Sequence, residues 1–92
     1  MTGEEAHNST ARALEAVDEE RCRQDIKWGT INNFDDRPLD RWLTILVEEV
    51  GELAEGIQNR DQANIEEEAT QVAAVAVAIL ESVRRRPVTE RK

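Results

Sequence analysis

Between Pro38 and Gln58 the apolar residues Leu39, Trp42, Leu43, Leu46, Val50, Leu53 and Ile57 recur every three or four positions. That spacing keeps side chains on one face of an α-helix. Pro38 suits the first helical turn, where a missing N–H costs nothing. A short turn at Asn59-Arg60-Asp61 leads into a further helix. Either Asp61 or Asn64 can cap it, and Asn64 has Glu67 three residues on, as in a capping box. This helix should run to about Arg85, since Pro87 forbids much continuation. Its stripe is Ile65, Ala69, Val72, Ala76, Ile79 and Val83, but intervening Ala and Val make residues 72–80 apolar all round. A helix apolar on every side has to be covered on every side, which three helices in one small chain do not easily achieve. Upstream, Thr10 to Trp28 lacks Pro and Gly, with Leu14, Val17, Cys22 and Ile26 at looser helical spacing and Gly29 placed to end the helix. Residues 1–9 are polar and aperiodic, so a frayed terminus is expected. Thr30 to Arg37 reads as a loop. No segment reads as a strand. The expected fold is all-α: a helical hairpin plus an N-terminal helix over residues 10–86, completed as a four-helix-type bundle by oligomerisation, with residues 87–92 as a basic tail.

Charge narrows the function. The 92 residues include 20 acids and 12 bases, for a net charge of −8. Wrapping a nucleic acid polymer needs clustered Lys and Arg, so the balance argues against it. No run approaches the apolar length of a membrane span and no signal peptide is legible. Cys22 stands alone and cannot form an internal disulfide, which fits a cytoplasmic location.

The candidate chemistry lies in two acidic groups that interrupt the apolar helices, Glu48-Glu49-Val50-Gly51-Glu52 and Glu66-Glu67-Glu68-Ala69-Thr70-Gln71. At about 100° per residue, Glu49 and Glu52 fall on one flank of their stripe, and Glu68 and Gln71 fall on the flank of the same rotational sense. Glu48 and Glu55 point away. Two helices joined by a short turn are antiparallel and related by an approximate two-fold axis, which brings same-sense flanks to one side. Glu49, Glu52, Glu68 and Gln71 should therefore converge on one rim of the hairpin. Oxygen groups this close repel unless a cation holds them, and hard ions such as Mg²⁺ or Mn²⁺ suit carboxylate, amide and water oxygens. Such a site fits hydrolysis of a phosphoanhydride. A solvated acidic face that merely keeps a helical interaction protein soluble is the alternative from another class.

The same residues carry a resemblance. Glu48-Glu49-x-x-Glu52 followed by Glu68-x-x-Gln71, with Lys27-Trp28-Gly29 and Pro38-Leu39-Asp40-Arg41-Trp42-Leu43 upstream, is similar to the MazG-like all-α nucleoside triphosphate pyrophosphohydrolases. The resemblance spans Glu20 to Ser82. It implies Mg²⁺-dependent conversion of a nucleoside triphosphate to the monophosphate and pyrophosphate, for nucleotide pool control, by a dimer or a tetramer of dimers. It implies Glu49, Glu52 and Glu68 as metal ligands, with Glu48 assisting by binding a further metal or orienting water. Gln71 stands where the family has Asp; an amide oxygen can still coordinate, though with less charge. A catalytically degenerate relative is the alternative this departure leaves open, and a phosphoribosyl-ATP pyrophosphohydrolase differs by substrate alone. Lys27 and Arg85 are candidates for the phosphates, while Trp28 and Asn33 could meet the base.

Overall fold

The computed structural model describes residues 1–28, 38–85 and 88, and the side chain of Trp28 lies outside that description. The described elements are three helices, α1 (Gly3–Trp28), α2 (Leu39–Gln58) and α3 (Gln62–Arg85), with no strand among the described residues. Both α1 and α2 pack on α3, and they scarcely meet each other.

α1 begins at Gly3, where the sequence suggested a frayed segment. The cause is a local signal, Thr2-x-x-Glu5: Thr2 Oγ1 accepts a hydrogen bond from the Glu5 backbone N–H at 3.1 Å. Glu4 and Glu5 in the first turn also complement the positive end of the helix. The α2–α3 turn is a Schellman motif. The Arg60 N–H donates to the Ile57 carbonyl and the Asp61 N–H to the Gly56 carbonyl, each at 3.1 Å. Arg60 adopts a φ of 54°, the left-handed conformation this motif requires. Of the two candidate caps, Asp61 is the one used, with its Oδ1 accepting from the Asn64 N–H at 3.2 Å. Gly56 is buried beside this turn, and a Cβ there would lie 2.9 Å from Asn64 Nδ2. The glycine thus lets the two helices approach closely.

Trp42, Val75 and Ala78 form the core, with Ile45, Leu46 and Ile79 packed against them. The expected core position of Trp42 is where the structure has it, at 4 % exposure. The rest of the α2 stripe divides: Leu46 and Leu53 are half-buried, whereas Leu43, Val50 and Ile57 are exposed, as are Val47 on α2 and Leu80 on α3. The radius of gyration, 15.2 Å, exceeds the roughly 12 Å of a compact chain this long.

The apolar stripe expected on α1 is not what docks it. Val17 of that stripe is half-buried, but Leu14, Cys22 and Ile26 are exposed, while Glu20, Arg21 and Gln24 are buried. Arg21 is the hub. It donates to Glu81 Oε1 of α3 and to Asp25 Oδ1, each at 2.8 Å, and to Gln24 Oε1 at 3.1 Å. Burial works against the guanidinium charge, but Glu81 and Asp25 outweigh it and raise its pKa.

The strained turn generates a prediction. Replacing Arg60 by glycine relieves a left-handed non-glycine residue and should stabilise the fold by about 0.5–1 kcal/mol, net of the extra freedom glycine has when unfolded. A thermal melt at fixed protein concentration checks this; a lower melting temperature for Arg60→Gly would contradict the strain.

Candidate metal centre

Glu49 and Glu52 lie one turn apart on α2, and the hairpin brings Glu68 of α3 against them. One carboxylate oxygen from each lies within 4.8 Å of the others. The Schellman turn sets the register of this meeting by fixing how α3 leaves α2. Glu49 and Glu68 are half-buried and Glu52 is exposed.

The electrostatics record the crowding. Burial, followed by the approach of Glu49, raises the pKa of Glu68. Contact with Glu68 is the main cause of the raised pKa of Glu52, with smaller contributions from Glu48 and Glu55. A carboxylate has no donor, so contacts within this group become hydrogen bonds only when one member carries a proton. Glu68 Oε2 is buried and has no hydrogen-bond partner. A buried oxygen of this kind carries an uncompensated desolvation penalty, and a cation among three hard oxygen donors would remove it. The residues present therefore fit a divalent ion that prefers oxygen.

These carboxylates open onto a cavity of about 670 Å³ between the hairpin and α1, within the size range of small-molecule sites. Gln71 and Lys27 line it. Glu48 is exposed and does not line it. Arg85 does not line it either; its Nη1 lies 3.9 Å from Glu81 Oε2. Asn33 and the Trp28 side chain fall outside the described residues. The sequence reading missed Arg23 and Gln24, which face the cavity from α1. Their signal was polar spacing, since Glu20, Arg23, Gln24 and Lys27 share one side of a helix without apolar periodicity. Arg23 donates to the buried Glu20 at 2.8 Å, and Gln24 Nε2 donates to Gln71 Oε1 at 3.4 Å.

Comparison with known proteins bears on α2 and α3. The family model of the MazG nucleotide pyrophosphohydrolase domain matches residues 38–88. That stretch exceeds half of the chain and leaves α1 outside the match. No curated protein and no solved structure matches the chain.

The raised pKa values of Glu52 and Glu68 fix the sign of a pH effect. The folded state holds these protons more tightly than the unfolded chain, so ionising the two groups removes stability as pH rises from about 4.5 through their raised values. In the absence of divalent ions, Glu68→Gln should therefore melt above the wild type at pH 7 and close to it at pH 4.5. Added Mg²⁺ should raise the melting temperature of the wild type at pH 7, and of the variant much less. Equal metal responses from the two proteins would show that Glu68 does not hold the ion.

Proposed function

The chain belongs to the MazG nucleotide pyrophosphohydrolase family, and from that premise we propose that it hydrolyses a nucleoside triphosphate to the monophosphate and pyrophosphate with Mg²⁺, Mn²⁺ serving as a substitute. The observation that carries this reading is the trio Glu49, Glu52 and Glu68 with its unpartnered buried oxygen, at the mouth of a nucleotide-sized cavity. The cavity wall holds seven carboxylates against the two cations Arg23 and Lys27. A bare triphosphate would be repelled from such a wall, so its affinity depends on a bridging cation.

In this reading Glu49, Glu52 and Glu68 hold the metal, and Gln71 completes the rim beside them. The bound ion would neutralise phosphate charge and lower the pKa of water. Lys27 and Arg23 donate charge-assisted hydrogen bonds to the phosphate chain. Glu48, outside the cavity lining, contributes only by adding negative charge beside Glu52, and Trp28 and Asn33 remain the candidates for the base. Water attacks the α-phosphorus and gives a proton to a neighbouring carboxylate, the bond from that phosphorus to the α–β bridging oxygen breaks, and pyrophosphate departs with the electron pair. A covalent enzyme intermediate is not implied, since among the described cavity residues there is no Ser, Cys or His. The hydroxyl present, that of Thr70, donates to the Glu66 carbonyl at 2.8 Å.

Self-association belongs to the same proposal. Leu43, Val47, Val50 and Ile57 on α2 are exposed at heptad-like spacing, and Ala69, Ala76 and Leu80 are exposed on α3. Two rows of this kind on one hairpin fit a second hairpin, giving a four-helix arrangement about a two-fold axis. The site would then be held on a cytoplasmic dimer, or a tetramer of dimers, acting in nucleotide pool control.

Two measurements test these statements. Pyrophosphate release across a panel of nucleoside triphosphates should require a divalent ion and fall on the order of 100-fold in Glu49→Gln and in Glu52→Gln; no release by the wild type with any nucleotide or metal would favour a non-catalytic helical protein. Light scattering should give the mass of at least two chains for the wild type and one chain for Leu43→Glu, whereas a monomeric wild type would overturn the pairing.

A further inference from the structure

Gln24 is 2 % exposed and sits between two partners with different demands. On one side Arg21 Nη1 donates to its Oε1 at 3.1 Å. On the other its Nε2 donates to Gln71 Oε1 at 3.4 Å. A guanidinium has donors only, so Gln24 has to turn its oxygen to Arg21 and its NH₂ to Gln71. Gln71 must then turn its own oxygen toward Gln24, which directs its NH₂ away from Gln24. Arg21 is in turn held by Glu81 and Asp25, so the polarity of the whole row is set by an ion pair on the far side of α1. Reversing any amide would set N–H against N–H in a buried place.

We propose that Arg21 and Gln24 are positioning residues that fix the orientation of the Gln71 amide, so that Gln71 meets a bound triphosphate as an N–H donor rather than meeting the metal as an oxygen ligand. The inference rests on the functional reading above and assigns Gln71 a different task from the family's acidic residue. Donors are what this wall lacks. Apart from Arg23 and Lys27, its charged groups are all carboxylates, and phosphate oxygens need hydrogen-bond donors. Gln71 lines the cavity with Glu49, Glu52 and Glu68, so an NH₂ turned away from Gln24 would be a donor within reach of phosphates bound there. Gln24 and Arg21 lie on α1, outside the stretch that the family model matches.

The test measures two affinities separately by calorimetry: Mn²⁺ alone, and a non-hydrolysable nucleoside triphosphate in the presence of Mn²⁺. Gln24→Glu keeps an acceptor for Arg21 but has no N–H for Gln71, so the Gln71 amide turns round. Gln24→Met removes both bonds without adding charge. Each variant should weaken nucleotide binding on the order of tenfold while leaving Mn²⁺ binding at least as tight as in the wild type. Gln71→Met should lose the same factor, and the Gln24→Met/Gln71→Met double variant no more than either alone, because the pair acts as one unit. A purely structural Gln24 would lower the melting temperature and leave the ratio of the two affinities unchanged, which would overturn the proposal. Loss of Mn²⁺ binding in Gln71→Met comparable to that in Glu68→Gln would also overturn it, by making Gln71 a cation ligand. A wild type that binds Mn²⁺ but no nucleotide overturns the functional reading itself, an outcome distinct from nucleotide binding that is indifferent to Gln24.

Discussion

The meeting of three carboxylates across the α2–α3 hairpin is the constraint on which the rest depends. Like charges within 4.8 Å of one another oppose the packing that brings them together, and the pKa of Glu68, raised first by burial and then by Glu49, and that of Glu52, raised by Glu68, point the same way. The hairpin supplies what holds them. Trp42 and Val75 lock the two helices through apolar contact, Gly56 allows them to close near the turn, and Arg60 and Asp61 set the direction in which α3 departs. A stiff apolar unit therefore carries a destabilising polar cluster. Strain of this kind is what a site gains from when a ligand relieves it, because the relief appears as binding free energy.

Much of the hairpin was legible in the sequence, for a physical reason. Apolar periodicity reports burial, and part of each stripe is covered, with Trp42, Leu46 and Leu53 on α2 and Ile65, Val72, Ile79 and Val83 on α3 buried or half-buried. The most buried α3 positions, Ala74, Val75, Ala78 and Ser82, lie off the stripe read from the sequence, in the stretch that is apolar all round. The same periodicity fixes the flanks, which is why the convergence of Glu49, Glu52 and Glu68 follows from rotational sense alone. Periodicity failed where burial is not apolar. α1 docks through Arg21, Glu20 and Gln24, so its exposed Leu14 and Ile26 misrepresented the contact face. The start of α1 was obscured differently, because Thr2 and Glu5 cap it without any hydrophobic signal. The choice between Asp61 and Asn64 as cap needed the geometry of the turn, since both residues satisfy the same composition rule.

The exposed rows of α2 and α3 mark another limit of pattern reading. Leu43 and Val50 belong to the same helical stripe as the buried Trp42 yet are exposed, and a stripe does not say what covers it. A helix apolar around its circumference can satisfy two contacts at once, one inside the chain and one outside. Small side chains such as Ala69 and Ala76 on the outer row suit the second, because they allow helix axes to approach closely.

The two walls of the cavity are held by different forces, and the division matches the chemistry each offers. The hairpin, fixed by apolar packing, presents carboxylates suited to a cation. α1, fixed by the Arg21–Glu81 bridge, presents the two cations of the lining, Arg23 and Lys27, and Gln24, alongside Glu19 and Glu20, so it is the wall that holds donors suited to an anion. Contacts between charged groups weaken with salt where they are exposed, and Glu81 and Asp25 are each more than 40 % exposed in this bridge. The α1 wall is thus the softer of the two. A ligand that contacts both walls would draw α1 against the hairpin, so its affinity and the docking of α1 would form a single linked equilibrium rather than independent properties.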